Sequence, residues 1–174
     1  MSTEQSRYQV RFDFGVAGAH AVGADADVIV WVDALGNESV DLSALPAGAA
    51  VITTGLANAI AAADWVMAQQ LRLEKRFATA VIAAGADRDG QWRYAVEDHL
   101  AAGAVIDRLS ELGLDATSPE AAAAEAAYRS LSRAVGHLMT ASVSAINGED
   151  APAEARSINA ERTPTDVEVL RGFS

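Results

Sequence analysis

The chain has 174 residues, a formal net charge of −11 and no cysteine. It is long enough for one domain with a substantial core. The acidic balance excludes a phosphate-backbone binder, which needs a basic face, and the missing thiols exclude disulfides, thiol nucleophiles and soft metal sites. Apolar residues make up 51% but aromatics only 6%; alanine fills the difference and favours helices with thin, closely packed faces. The N-terminus lacks the apolar core of a secretory signal and no apolar run is long enough for a bilayer, so a cytoplasmic protein with no membrane partner is expected.

In chain order, Tyr8, Val10, Phe12 and Phe14 alternate with Gln9, Arg11 and Asp13, the period of a strand with one buried face. Val16 to Val22 reads as a short helix closed by Gly23. Val28 to Val32 is apolar without alternation, as in a strand buried on both faces, and ends at Asp33. From Asn37 to Gly48 there is little pattern beyond a turn at Val40, Leu42 and Leu45. The next strand, Ala49 to Thr53, is open between a parallel crossover and an antiparallel return.

Thr53-Thr54-Gly55 leads into a helix reaching about Leu73, with Leu56, Ile60, Ala63, Met67 and Leu71 on the face expected to be buried. The stretch Ala78 to Gly113 then organises the rest. A strand ends at Ala83-Ala84-Gly85, a charged loop follows, and a helix presents Leu100, Ala101, Ala104, Val105, Leu109 and Leu112 before Gly113. Asp87, Arg88, Asp89, Arg93, Glu97 and Asp98 crowd the loop and the helix start, beyond a strand's carboxyl end, where open α/β sheets bind ligands. Ser118-Pro119-Glu120 opens a further helix, with Ser capping and Pro first, expected to run unbroken to Asn147-Gly148. Residues 149–174 are weakly patterned: a surface helix with a closing strand at Val167 to Leu170, or a loose tail. The alternation of strands and helices defines an α/β class, a three-layer α/β/α domain over 1–174 with a small, mostly parallel or mixed sheet.

Asp33, ending the most hydrophobic strand, is open between a turn residue and a ligand for a hard cation. Glu97 and Asp98 suit the positive end of a helix dipole, and join a cation site only if Asp33 lies close by. Arg93 is open between an anion clamp and a surface ion pair, and Asn58 between a cap or loop tie and the crevice. Gly85 and Gly90 permit close backbone approach to an anion. His20, His99 and His137 have no zinc spacing.

Several segments together resemble a known family: Val10 to Gly15, Val28 to Asp33, Gly55-Leu56-Ala57-Asn58-Ala59, Val81 to Gly85, and Arg93 through Glu97-Asp98 to Ile106, supported by Ser118-Pro119-Glu120 and Gly172-Phe173. In this order they are similar to the 2-phosphosulfolactate phosphatases, the ComB family. The resemblance implies a Mg²⁺-dependent hydrolase of a small anionic phosphate ester, with Asp33, Glu97 and Asp98 on the metal and Asp33 and Arg93 catalytic; Gly85, Arg93 and Asn58 are the candidate substrate contacts. Ala34 to Gly48 replaces a longer stretch of the family, including loops of its pocket. That departure opens the alternative of a non-catalytic ComB-like scaffold acting by self-association or small-anion binding. A sheet that has lost a unit exposes an edge or an apolar patch, so a homodimer is expected.

Overall fold

The computed structural model describes residues 4–36, 40–147 and 166–173. Parts of three expectations lie outside these residues: the start of the connection after Gly36, the helix end at Gly148, and the tail over 149–165.

Strand β1 (Val10–Phe14) leads into helix α1 (Gly15–Gly23), the turn made by Gly15 at φ 61°. Strand β2 (Val28–Val32) is buried along its whole length. A single 3-10 turn over Leu42–Ala44 carries the chain to β3 (Ala50–Thr54), followed by α2 (Ala59–Arg72) and β4 (Thr79–Ala83). Two short strands, β5 (Ala86–Arg88) and β6 (Gln91–Arg93), precede α3 (Val96–Glu111), α4 (Pro119–Leu131), α5 (Val135–Ala141), α6 (Val143–Asn147) and β7 (Glu168–Arg171).

The main sheet has the order β1-β4-β2-β3-β7. The first four strands run parallel, which settles the open alternative at β3 in favour of a crossover; β7 lies antiparallel on β3. One face packs α1 against Ile29, Trp31, Val51 and Ile82. The other packs α2, α3 and α4 against Val10, Val28, Val30, Ile52 and Val81. The molecule is therefore a three-layer α/β/α sandwich around a five-stranded mixed sheet. Strand β7 covers the β3 edge of that sheet.

Four expectations change. Arg11, on the side of β1 expected to face solvent, is buried and donates to the carbonyls of Ser6, Tyr8 and Val22 and to Asp25. Burial is possible because each nitrogen of the guanidinium finds an acceptor.

In α2 the buried residues are Ala59, Ala62, Ala63 and Val66, whereas Ile60 and Leu71 are 60% and 65% exposed. The helix approaches its neighbours through small side chains and turns its larger apolar stripe outward.

The charged loop after β4 is a hairpin. Asp89 (φ 56°) and Gly90 (φ 77°) both lie in the left-handed region, as a two-residue hairpin turn matching strand twist requires.

The last helix is three. It stops after Leu131 and again at Ser142, whose extended backbone ends α5 and whose hydroxyl caps the Ala145 amide.

Candidate functional site at the β2–β4 switch point

Neighbouring strands β2 and β4 send their chains to opposite faces of the sheet, β2 toward the 3-10 turn and β4 toward α3. A crevice forms beyond strand ends where connections part in this way. A cleft of about 390 Å³ lies there, with Asp33, Gly85, Arg93, Glu97 and Asp98 all in its wall. The residues singled out around the central stretch thus meet at one rim, although Asp33 is far from the others in sequence.

Their roles differ. Asp98 is 2% exposed. Its Oδ1 accepts from the Ala34 amide and its Oδ2 from the Gly85 amide, each at 2.8 Å. One carboxylate on the first turn of α3 therefore ties together the chains leaving β2 and β4. Burial raises its pKa to about 8; the charges of Asp33 and Glu97 push the same way, and the two amides pull against them.

Glu97 is equally buried, and its Oε2 has no hydrogen-bond partner. An orphaned carboxylate oxygen inside a protein is costly, and a water or a cation is the partner it calls for. Asp33 is partly exposed and accepts the Gly36 amide through Oδ1 at 2.9 Å. Asp33 and Glu97 each raise the pKa of Asp98, so both carboxylates lie near that of Asp98. Among the described residues, however, no group of three or more His, Asp or Glu side chains converges as a metal cage. The available donor set is Asp33 with Glu97, because Asp98 is turned to the backbone. Two carboxylates suit a hard cation that keeps water and phosphate oxygens as its remaining ligands.

Arg93 donates through its two terminal nitrogens to the Tyr94 carbonyl (2.8 Å) and to Ser144 Oγ of α6 (2.7 Å). Its fork fastens the hairpin to α6 instead of standing open for an anion. The Gly85 amide, expected to meet an anion, is taken by Asp98.

Asn58 is absent from this cleft. It lines a neighbouring one of about 590 Å³ beyond β2 and β3, and Asp33 belongs to both. Its Oδ1 accepts from the Gly55 amide (2.8 Å) and the Thr54 hydroxyl (2.9 Å), so it ties the β3–α2 turn without capping the helix.

Trp92 was not foreseen. Its Nε1 donates to the Ala84 carbonyl at 2.9 Å, and its ring lies against Gly15 and Gly85, where a Cβ at Gly85 would come 2.1 Å from Nε1. It fixes the hairpin over the ends of β1 and β4. Behind it, Tyr94 Oη and His99 Nδ1 pair at 2.8 Å, and His99 stacks on Phe12. Burial lowers the pKa of His99; it raises that of Tyr94, with Glu97 adding to the effect. Asp89-Gly90 was the one sequence signal for this hairpin.

No protein-family model matches the sequence, and no curated protein matches it.

Proposed function

We propose that the protein is a Mg²⁺-dependent hydrolase of a small phosphate ester, as the resemblance to 2-phosphosulfolactate phosphatases implies. The observation carrying this reading is the Glu97 carboxylate oxygen, buried and unpartnered in the wall that also holds Asp33. An oxygen-only donor pair fits magnesium better than a softer ion. Asp33 and Glu97 would hold the cation. When bound, it neutralises phosphoryl charge and acidifies a coordinated water. Asp98 fixes the distance between the β2 and β4 ends, and so the positions of Asp33 and the hairpin on either side of the cleft. The hairpin contributes Asp87, Arg88, Asp89 and Arg93 to the wall of the same cleft, and α6 contributes Ser144 and Asn147.

The second reading, a ComB-like scaffold without turnover, is favoured by a specific feature. The Gly85 amide and Asp98 satisfy each other, and Arg93 is bound to Ser144, so these groups already serve folding.

Two measurements separate the readings. Wild type should show a Mg²⁺-dependent rise in melting temperature that Glu97→Gln loses. It should also release phosphate from small phosphate monoesters faster than Asp33→Asn. No thermal shift with Mg²⁺ refutes the cation site; a shift without release leaves a cation-binding scaffold. Self-association belongs to the same proposal, on the outward apolar stripe of α2 at Ile60 and Leu71, and a monomeric mass at micromolar concentration refutes it.

A further inference from the structure

We infer that Arg88, on the hairpin, is the residue that contacts the anionic group of the ligand, a role the sequence assigned to Arg93. The inference rests on the phosphate-ester reading of the cleft and deepens it.

The register of the hairpin carries the argument. Directly opposed residues of an antiparallel pair share a face. Ala86 pairs with Arg93, Asp87 with Trp92 and Arg88 with Gln91, so Arg88 and Arg93 point one way and Trp92 the other. Trp92 faces the ends of β1 and β4, as its contacts with Gly15, Gly85 and Ala84 show. The opposite face is turned to α6, as the bond from Arg93 to Ser144 shows. Arg88 therefore sits on the cleft side of the hairpin, and it lines the cleft.

Among the described residues, Arg88 and Arg93 are the only cationic side chains in that lining. Arg93 has spent both ends of its fork on neutral oxygens. The Arg88 side chain makes no hydrogen bond or ion pair with another described residue, its backbone alone being paired with Gln91, so its guanidinium donors remain for a ligand. The other charged residues of the lining are acidic: Asp33, Asp87, Asp89, Glu97 and Asp98. A phosphoryl group entering such a wall needs compensation from a cation on the carboxylate side and a second positive charge facing it. Arg88 supplies the second charge from a support that Trp92 holds at backbone level. Its side chain stays solvated until a ligand arrives, so the empty protein bears no desolvation cost there.

The test is calorimetric titration of inorganic phosphate into metal-loaded wild type, Arg88→Gln and Arg88→Lys in saturating Mg²⁺. The inference expects at least a tenfold loss of affinity in Arg88→Gln, as for removal of a charge-assisted contact, and a smaller loss in Arg88→Lys, which keeps the charge without the fork. Melting temperatures should coincide, because the side chain has no structural partner. In hydrolysis of a small phosphate monoester, Arg88→Gln should raise KM more than it lowers kcat. Phosphate binding within twofold of wild type in Arg88→Gln overturns the inference. Wild type that binds phosphate through Arg88 but releases none from esters keeps the inference and refutes the hydrolase. Wild type that binds no phosphate overturns both.

Discussion

Asp98→Asn separates hydrogen bonding from charge at the heart of the cleft. The carboxyl serves two amides, those of Ala34 and Gly85, both at 2.8 Å. An asparagine amide has one accepting oxygen, so its NH₂ would confront the other N–H. One buried donor is then orphaned, at a cost of about 1–3 kcal/mol. The charge works the other way. The folded pKa stands at about 8 against an ordinary 3.8, so the folded protein holds a proton that the unfolded chain releases. Wild-type stability from this group is fully present below the unfolded value and is lost as pH rises through the folded one, with a slope of at most about 1.4 kcal/mol per pH unit. Between pH 5 and pH 8 the gap between the two proteins should move by on the order of 4 kcal/mol. Asp98→Asn should therefore be less stable than wild type at pH 5 and equal or more stable at pH 8. The assay is urea unfolding at several pH values in EDTA, so that no cation ionises the carboxyl. His99, whose imidazole burial holds below its ordinary pKa, loses stability for both proteins as pH falls and cancels in the difference. Parallel stability curves across this range would refute the account of Asp98.

Three further substitutions probe the frame around the cleft. Gly85→Ala should destabilise by more than about 2 kcal/mol, because φ is 78° and the new Cβ would meet Trp92 and the Arg93 carbonyl at 2.8 Å or less; a melting temperature within a degree of wild type would contradict that contact. Gly103→Val should also destabilise, since a Cβ there falls 2.3 Å from the Ala124 carbonyl and 2.7 Å from Tyr128 Cβ. It would pry α3 from α4, costing about 1–3 kcal/mol or more, and a native-like urea midpoint would count against the packing. Ile60→Ser should change monomer stability by less than about 0.5 kcal/mol, as the side chain is 60% exposed; a loss of several times that figure would mean the helix buries it.

Much of the frame is legible in the residues. Val28 to Val32 and Thr79 to Ala83 read as central strands because a strand covered on both faces has no reason to alternate. The start of α4 is legible because Ser118 and Pro119 are chemically suited to a helix N-terminus, and Ser118 Oγ accepts the Ala121 amide as expected. The inner face of α2 is not legible. Hydrophobicity ranks Ile60 and Leu71 above Ala59, Ala62 and Ala63, but closeness of approach decides the interface, and small residues win there. Nor is the division of labour between Glu97 and Asp98. As neighbours on a helix they diverge by about 100°, yet both are buried, because the first turn of α3 lies beneath the ends of β2 and β4. Which of them faces backbone and which stays unpartnered depends on strand order, and strand order is a property of the assembled sheet. The hairpin is a further miss: the stretch is expected as a charged loop, although Asp89-Gly90 is the residue pair a two-residue turn requires.

The bridge from Asp98 to Ala34 joins residues 64 apart in the chain. During synthesis β2 and β4 leave the ribosome first, and the amides of Ala34 and Gly85 have no Asp98 to receive them until α3 has emerged and docked. The rim of the cleft is consequently a late product of folding. A nascent or truncated chain ending before that helix carries neither Glu97 nor the tie that sets the rim's width, and one face of its central strands has lost the cover of α3 and α4.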